Sequence, residues 1–329
     1  MKSFLVASLV AGSFAFGCAV PVEDDVQEST DEISAANANF GYFEVTGRDY
    51  KKCLGPRCGG YYVKRVNQAT TTCADGTVAA ECYVAAISFP SLGFSERELA
   101  TVRSALDAQR VVLKARIYKH NEDRQIGVLK ANEVWLGATG SPADGTFYRV
   151  ADNGLRCITA PCPSTTASQL NTSNVSYDVL QTVLDQTSIP ASQDALDDAA
   201  LALGTRDGVI VAGGVALPRC TADATDCGPM IHASEFYLRY THTEGKACGA
   251  RLGDTCNADQ YCAWAPEGIC GWADATGVCT PRSEMMCPQV YQPVCGCDGV
   301  TYGNACMAGS AGMSVQRDGA CEDDAATAH

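Results

Sequence analysis

The distribution of cysteine constrains this chain more than any other feature. Nineteen cysteines occur among 329 residues, and ten of them lie between residues 248 and 321. Eight more lie between residues 53 and 227, so each region holds an even number that can pair internally. Dense, even cysteines in short loop-rich stretches are typical of a disulfide framework in an oxidising compartment. The sequence therefore predicts an exported protein whose C-terminal region is held together by cross-links.

The N-terminal segment also predicts export. Residues 1–18 read MKSFLVASLVAGSFAFGC, with one lysine, an apolar run and small residues before Cys18. The run is too short for a membrane span and fits a signal peptide. Its end resembles the lipobox of bacterial lipoproteins, so we expect lipidation of Cys18, the cysteine that the two even sets leave over. Cleavage by an ordinary signal peptidase near Ala19 is the alternative.

The expected location depends on that choice. By resemblance to bacterial sorting rules, Ala19 after the cysteine indicates the outer membrane, with the lipid anchor as the only membrane attachment. Without lipidation the chain is secreted. Residues 19–40 are acidic, small and aperiodic, which is typical of a flexible tether. The chain has 38 acidic and 24 basic residues, which argues against binding to nucleic acid.

The middle of the chain contains a duplication. Residues 41–139 and 145–243 share a Phe-x9-Cys-x4-Cys-x8-Asn pattern, which starts at Phe43 in the first copy and at Phe147 in the second. Their ends match as well, because LKANEVWLGAT and IHASEFYLRYT align at an offset of 102 residues. Each copy is predicted to form a strand, a paired-cysteine loop, a strand, a helix and two more strands. Residues 41–243 are therefore expected to form one α+β domain whose halves pack together.

The two predicted helices have recognisable ends. Ser95 and Glu98 form a capping box before a helix that extends to about Gln109. The second helix is predicted to start near Ser192 and to stop at Gly204. Inward-facing positions are predicted at helical spacing, namely Leu99, Val102 and Leu106 in the first helix and Leu196, Ala200 and Leu203 in the second.

The duplicated domain shows no catalytic or cofactor-binding motif. It lacks a G-x-S-x-G elbow, a phosphate-cradling glycine loop and an H-E-x-x-H metal motif. His232 and His242 do not have metal-ligand spacing, and Glu133 and Glu235 repeat as any duplicated strand position does. We predict no metal, no cofactor and no enzyme, with an enzyme of unknown type in this domain as the second alternative. The domain resembles an uncharacterised family of bacterial secreted proteins, which implies no activity.

The cysteines of this domain are expected to close small loops. In an exported chain, neighbouring cysteines form disulfides more often than thiolate sites for metals. The predicted pairs are Cys53–Cys58, Cys73–Cys82, Cys157–Cys162 and Cys220–Cys227.

The C-terminal region carries a more specific pattern. Residues 287–306 read CPQVYQPVCGCDGVTYGNAC, with seven residues between Cys287 and Cys295 and ten between Cys295 and Cys306. This spacing, with the Pro-Val-Cys-Gly, Asp-Gly-x-Thr-Tyr and Asn-x-Cys elements, resembles the Kazal-type serine protease inhibitors. The resemblance covers residues 280–324 and leaves 325–329 as a tail. Residues 246–279 resemble the Cys-rich lobes that precede such modules in follistatin-like proteins.

The expected fold class follows from these parts. It is α+β, with a duplicated strand-rich domain that has one helix per repeat, followed by a small disulfide-rich Kazal-like module. The resemblance implies the disulfides Cys287–Cys306 and Cys295–Cys321. The family's fifth cysteine, soon after Cys306, is absent, and an extra Cys297 is present. We predict that Cys297 pairs upstream with Cys279.

The resemblance also implies a substrate-like loop that enters the cleft of a serine protease. The family places its primary specificity residue two positions after the first cysteine of the loop, which gives Gln289–Val290 as the reactive bond. Tyr302 is expected to pack beneath the loop, and Asn304 is expected to reach its backbone. The whole inhibitory loop is Pro288, Gln289, Val290, Tyr291, Gln292 and Pro293.

Gln289 determines which protease is expected. A trypsin-like pocket holds a buried carboxylate that requires Lys or Arg, and Gln leaves that charge unpaired. A subtilisin-like protease with a permissive pocket fits better. Pro288 stands where the family often has Thr, whose hydroxyl braces the loop. A non-inhibitory extracellular protein-binding module is therefore the first alternative function.

Overall fold

The computed structural model describes residues 40–52, 55–158, 162–173, 175–184, 189–217, 228–249, 256–282 and 286–321. All of them lie in one compact unit, Phe40–His329. The predicted signal peptide, Cys18 and the tether up to residue 39 lie outside the described residues. The predicted pairs Cys53–Cys58 and Cys220–Cys227 each include residues outside them. Within the described ranges, no helix is long and apolar enough to cross a membrane.

The first repeat forms a closed ring of five strands. The elements are β1 (Gly41–Arg48), β2 (Tyr61–Arg65), the hairpin strands β3 (Thr71–Thr72) and β4 (Val78–Ala79), β5 (Cys82–Ser88), α1 (Glu96–Asp107), β6 (Val111–Lys119) and β7 (Gly127–Gly137). Antiparallel pairs join β2 to β5, β1 to β2, β1 to β6 and β6 to β7, and a parallel pair between β5 and β7 closes the ring. A closed ring leaves no long unpaired edge.

The second repeat has the same order of strand pairs. The elements are β8 (Thr146–Asp152), β9 (Thr165–Gln169), β10 (Ser176–Val179), β11 (Gln181–Val183), α2 (Gln193–Leu203), β12 (Val209–Ala216) and β13 (Met230–Tyr240). β8 lies between β9 and β12, β12 pairs with β13, and all of these pairs are antiparallel. The place of β5 is shared by β10, which pairs with β9, and by β11, which pairs in parallel with β13.

Two asparagines tie the rings together reciprocally. Asn67 bonds the backbone of Phe147, with Nδ2 donating to the carbonyl at 2.7 Å and Oδ1 accepting from the amide at 2.9 Å. Asn171 bonds the backbone of Tyr42 in the same way, at 2.7 and 2.8 Å. Both asparagines have a φ of 57°, a left-handed conformation that asparagine tolerates better than most residues. Strands β7 and β13 also pair across the junction, and Trp135 is fully buried there.

Both helices begin where the sequence predicts. Ser95 caps α1, and its Oγ accepts from the amide of Glu98 at 3.2 Å while the Ser95 amide donates to the Glu98 carboxylate at 2.9 Å. Ser192 is the N-cap of α2. One inward position was wrong, because Ala200 is exposed and Ala199 is buried. The structure also pairs Cys73 with Cys82 and Cys157 with Cys162.

The C-terminal region adds two small sheets. The lobe contains β14 (Ala247–Gly249), β15 (Gln260–Ala263), a 3-10 helix (Pro266–Asp274) and β16 (Thr276–Pro281). The terminal module contains β17 (Val294–Gly296), β18 (Thr301–Tyr302), α3 (Ala305–Ser310) and β19 (Val315–Asp318). The chain is thus strand-rich with few helices and ends in a disulfide-rich module, which confirms the predicted fold class.

The lobe is attached to the duplicated domain through the buried carboxylate of Glu98, whose exposed fraction is 0%. Its oxygens accept from the amides of Thr243 and Glu244 at 2.9 and 3.1 Å, and His242 Nδ1 lies 2.7 Å away. Burial alone would raise the pKa of Glu98, but these bonds, together with that from the Ser95 amide, lower it from 4.5 to about 2. One ionised group therefore caps α1 and also holds the segment that leads into the lobe.

We expect this chain to lose stability as the pH falls from about 4.5 towards 2. The pKa of Glu98 is lower in the folded state than in the unfolded chain, so acid protonates the unfolded chain first and favours unfolding. The difference corresponds to about 3 kcal/mol at neutral pH. Urea unfolding between pH 7 and pH 2.5 would measure it. Glu98→Gln should be less stable at pH 7, and the gap should close in acid. Equal acid sensitivity of the two proteins would contradict this role for Glu98.

Candidate functional site

The segment between Cys287 and Cys295 is an exposed loop without regular secondary structure. Every residue from Pro288 to Gln292 is exposed, including Tyr291 at 76%. Cys295 at its far end is buried. Exposed apolar side chains on a loop with fixed ends are typical of a surface that another protein recognises.

Disulfides hold both ends of this loop. Cys287 is bonded to Cys306 of α3, and their Cα atoms lie 5.6 Å apart. Cys295, in β17, is bonded to Cys321, and their Cα atoms lie 4.9 Å apart. The pairing is the one that the sequence resemblance implied. Each cross-link removes conformations that the open chain would sample, so the ends of the loop are fixed before any partner binds.

Asn304 braces the backbone between these ends. Its Nδ2 donates to the carbonyl oxygens of Pro288 and Val290, at 2.9 and 3.0 Å. The same residue is the N-cap of α3, where its Oδ1 accepts from the amide of Met307 at 3.0 Å. The two braced carbonyls flank Gln289, so its backbone is held on both sides while its side chain is exposed.

A third backbone contact was not expected from the sequence. The amide of Gln292 donates to the carbonyl of Gly303 at 2.9 Å, which fixes the loop beyond the braced carbonyls. Gly303 is the residue before the N-cap of α3, so one turn of backbone supports both halves of the loop. A backbone carbonyl has no side-chain signature, and no pattern in the sequence indicates this contact.

Tyr302 supports the hairpin that follows the loop. It pairs with Val294, and its hydroxyl donates to Asp298 Oδ2 at 2.7 Å. This bond is the main reason that the pKa of Tyr302 is raised to about 12. The ring lies so close to Gly296 that a Cβ there would come within 2.7 Å of it. These contacts lie in the hairpin, and the packing of Tyr302 beneath the loop stays a prediction.

The predicted Cys279–Cys297 bond is wrong. Cys297 is bonded to Cys270 in the 3-10 helix of the lobe, and Cys279 is bonded to Cys256. The reason is the position of Cys279 in β16. Its backbone lies opposite that of Cys262 in β15, which places Cys279 inside the lobe sheet. The lobe and the terminal module are consequently joined by a covalent bond between Cys270 and Cys297.

Two further features concern the lobe. The sulfur atoms of Cys248, Cys256 and Cys279 lie within 4.8 Å of one another, but each belongs to a disulfide, so they form the core of the lobe. Ser314 of the terminal module bonds the lobe backbone, with Oγ donating to the carbonyl of Cys262 at 3.0 Å and accepting from the amide of Trp264 at 3.1 Å. These bonds fix the terminal module against the lobe.

The repeated carboxylates of the duplicated domain are held by hydrogen bonds. Glu133 accepts from Lys114 Nζ at 2.8 Å and from Trp135 Nε1 at 3.1 Å. Glu235 is buried. It accepts from Thr139 Oγ1 at 2.5 Å and from the backbone amide of the next residue, Phe236, at 2.9 Å. Each carboxylate lies beside a β-bulge of its strand pair. His232 is exposed on β13 and is not brought together with His242, which bonds Glu98.

Two parts of this chain match known protein families. Residues 42–243 match the family described as Domain of unknown function (DUF6748), and residues 279–321 match the Kazal-type serine protease inhibitor domain. Bdellin B-3 of Hirudo medicinalis is 50% identical over 40 residues, which are 12% of this chain and 71% of that protein. Serine protease inhibitor Kazal-type 1 of Sus scrofa is 55% identical over 29 residues, 8% of this chain and 52% of that protein. No solved structure matches the chain.

The resemblance found in the sequence is thereby confirmed for the C-terminal module. Because the first match spans more than half of the 329 residues, the protein belongs to the DUF6748 family, and it carries a Kazal-type serine protease inhibitor domain at residues 279–321.

Proposed function

We propose that this protein inhibits a serine protease through the loop 287–295, with Gln289–Val290 as the reactive bond. The observation that carries the proposal is the brace of Asn304, whose Nδ2 bonds the carbonyls of Pro288 and Val290 on either side of Gln289. The family match of residues 279–321 supports the same class of function, as does the relative that is named a serine protease inhibitor.

Fixing the loop in advance favours tight binding. A flexible peptide loses about 1–2 kcal/mol of conformational entropy per residue when its backbone is ordered. Here the disulfides and Asn304 hold the backbone already, so most of that loss occurs during folding. A larger part of the free energy of the contacts in the protease cleft is then available for binding.

The same bonds make hydrolysis slow. The protease's serine attacks the carbonyl carbon of Gln289, and the amide nitrogen of Val290 is the leaving group. An ordinary substrate loses its leaving amine by diffusion. In this loop Asn304 and the two disulfides retain both new ends, so the amine stays beside the acyl group at a high effective concentration. Reformation of the peptide bond then competes with attack by water.

Gln289 supports a target whose primary pocket is uncharged. In a trypsin-like pocket its amide would leave a buried carboxylate without a countercharge, which costs about 3–5 kcal/mol. A subtilisin-like pocket accepts an uncharged side chain without that penalty. The exposed neighbours Val290 and Tyr291 offer apolar surface on the leaving-group side of the bond.

A panel of serine proteases tests the proposal. The full disulfide-bonded chain should inhibit subtilisin with slow onset and should inhibit trypsin at least 100-fold more weakly. The same chain, reduced and alkylated, should be degraded without inhibiting. Inhibition of none of the panel, with the chain intact after incubation, would favour the non-inhibitory binding module. Rapid cleavage at Gln289–Val290 without inhibition would contradict the mechanism.

The disulfides and the relatives support an extracellular location. We propose that a lipid on Cys18 holds the exported chain on a membrane surface, because the two even sets of cysteines leave that residue over. The alternative is free secretion. The distribution of wild type and Cys18→Ser between membrane and medium distinguishes the two, since only a lipidated chain changes location on substitution.

A further inference from the structure

The two repeats share the features that maintain the fold but differ at one end of the ring. Arg48 ends β1 opposite Tyr61, the first residue of β2. The equivalent positions in the second repeat are Asp152 and Thr165, the paired ends of β8 and β9. The second repeat pairs these strands without the arginine and the tyrosine, so strand pairing does not require either side chain, although Tyr61 also packs partly on the core.

Arg48 is the centre of an exposed aromatic and charged cluster. Its guanidinium lies over the rings of Tyr50 and Tyr61, at 5.9 and 5.5 Å from their centroids. Its Nη1 donates to both carboxylate oxygens of Asp107 in α1, at 2.8 and 2.7 Å. Tyr50 is 74% exposed. An ion pair as exposed as this one stabilises a fold little, so stability does not explain the cluster.

The cluster borders a cavity of about 660 Å³ between α1 and the open end of the first ring. The ring side of the cavity is apolar, because Ile87, Phe89 and Phe94 pack on the core and remain half-buried. This volume lies within the range of sites that bind small molecules.

The rim of the cavity is cationic. Arg48 and Arg103 border it together with one acidic residue, Asp107, although the whole chain has a net charge of -14. Counted from their N-caps, the positions of α2 that correspond to Arg103 and Asp107 are occupied by Ala200 and Gly204, so the charges are again confined to the first repeat. Apolar walls beneath a cationic rim are complementary to a molecule with an apolar chain and an anionic head.

We propose that this cavity binds an amphiphilic carboxylate of the fatty-acid type. The apolar chain lies against Phe89 and Phe94, and the carboxylate lies at Arg48 and Arg103. Arg48 already bonds Asp107, so Arg103 supplies the larger part of the attraction. The site is in the duplicated domain and does not involve the loop 287–295, so it is independent of the proposed inhibition.

Calorimetric titration of the full chain with dodecanoate, below its micelle concentration, tests the proposal. Saturable binding to one site is expected, and dodecyltrimethylammonium, which has the same chain and the opposite charge, should bind at least 10-fold more weakly. Arg103→Glu should weaken dodecanoate binding at least 10-fold. The control Arg124→Glu changes the net charge equally at an exposed residue away from the cavity and should stay within twofold of wild type.

Three results would overturn the proposal. These are no saturable binding of dodecanoate, equal binding of the two amphiphiles, and equal effects of Arg103→Glu and Arg124→Glu. Protease inhibition by Arg103→Glu should equal that of wild type, so a failure of this site is distinguishable from a failure of the inhibitory loop.

Discussion

Asn304→Asp is expected to weaken protease inhibition by about 100-fold or more without unfolding the module. Aspartate is as good an N-cap as asparagine, so it still accepts from the amide of Met307. It has no N–H to donate, so both bonds to the carbonyls of Pro288 and Val290 are lost. Two such bonds contribute about 1 kcal/mol each, and a carboxylate facing two carbonyl oxygens adds repulsion. Together these effects correspond to about 100-fold in affinity.

The measurement has two parts. The inhibition constant against the protease found in the panel should rise, and mass spectrometry should show faster cleavage at Gln289–Val290, because the new ends separate more readily. The control is Ser192→Asp, which places an acidic N-cap on α2 of the duplicated domain and should leave inhibition unchanged. An Asn304→Asp protein that is folded and inhibits like wild type would show that the brace does not carry the function.

Local signals in the sequence predicted this part of the molecule well. A capping residue and its helix lie a few positions apart, so Ser95 with Glu98 could be recognised without knowing the rest of the fold. The same holds for the cysteine spacing of the terminal module, where the family pattern fixes the order of the disulfides. The reach of Asn304 to the loop backbone and the two disulfides at the loop ends were therefore anticipated, although the backbone contact to Gly303 was not.

Non-local pairing accounts for what the sequence did not predict. Strand β5 and its counterpart β11 were missed because each of them depends on a parallel partner from the end of the repeat. The predicted Cys279–Cys297 bond was wrong because closeness along the chain does not show which cysteines the folded lobe brings together. The structure pairs Cys279 with Cys256 and Cys297 with Cys270. In both cases the determining contact joins segments that are distant in sequence.

A β-bulge explains a subtler error in the alignment of the repeats. The sequence aligns Phe43 with Phe147, but the reciprocal asparagine contacts make Tyr42 the counterpart of Phe147. The register of β1 shifts between Val45 and Gly47, whereas β8 pairs with β9 without interruption. One extra residue in β1 therefore shifts the alignment of all residues before the bulge by one position. Counting back from the cysteines does not reveal this shift.

Gln289→Arg is expected to create tight inhibition of trypsin. The side chain of Gln289 is exposed, and the backbone on both sides of it is braced, so the substitution changes the group offered to the pocket without changing the loop. The guanidinium pairs with the buried carboxylate that glutamine leaves unpaired, which is worth about 3–5 kcal/mol. The gain corresponds to roughly 10³-fold in affinity for trypsin.

Gln292→Arg is the matched control, because it places the same charge on the same exposed loop three residues away. It should not create trypsin inhibition, and a similar gain from both variants would indicate that charge alone attracts the enzyme. If trypsin instead cuts the Gln289→Arg chain quickly, position 289 enters the pocket but the loop does not resist hydrolysis. Combining Gln289→Arg with Asn304→Asp separates the two requirements, since the arginine should still direct trypsin to position 289 while loss of the brace turns an inhibitor into a substrate.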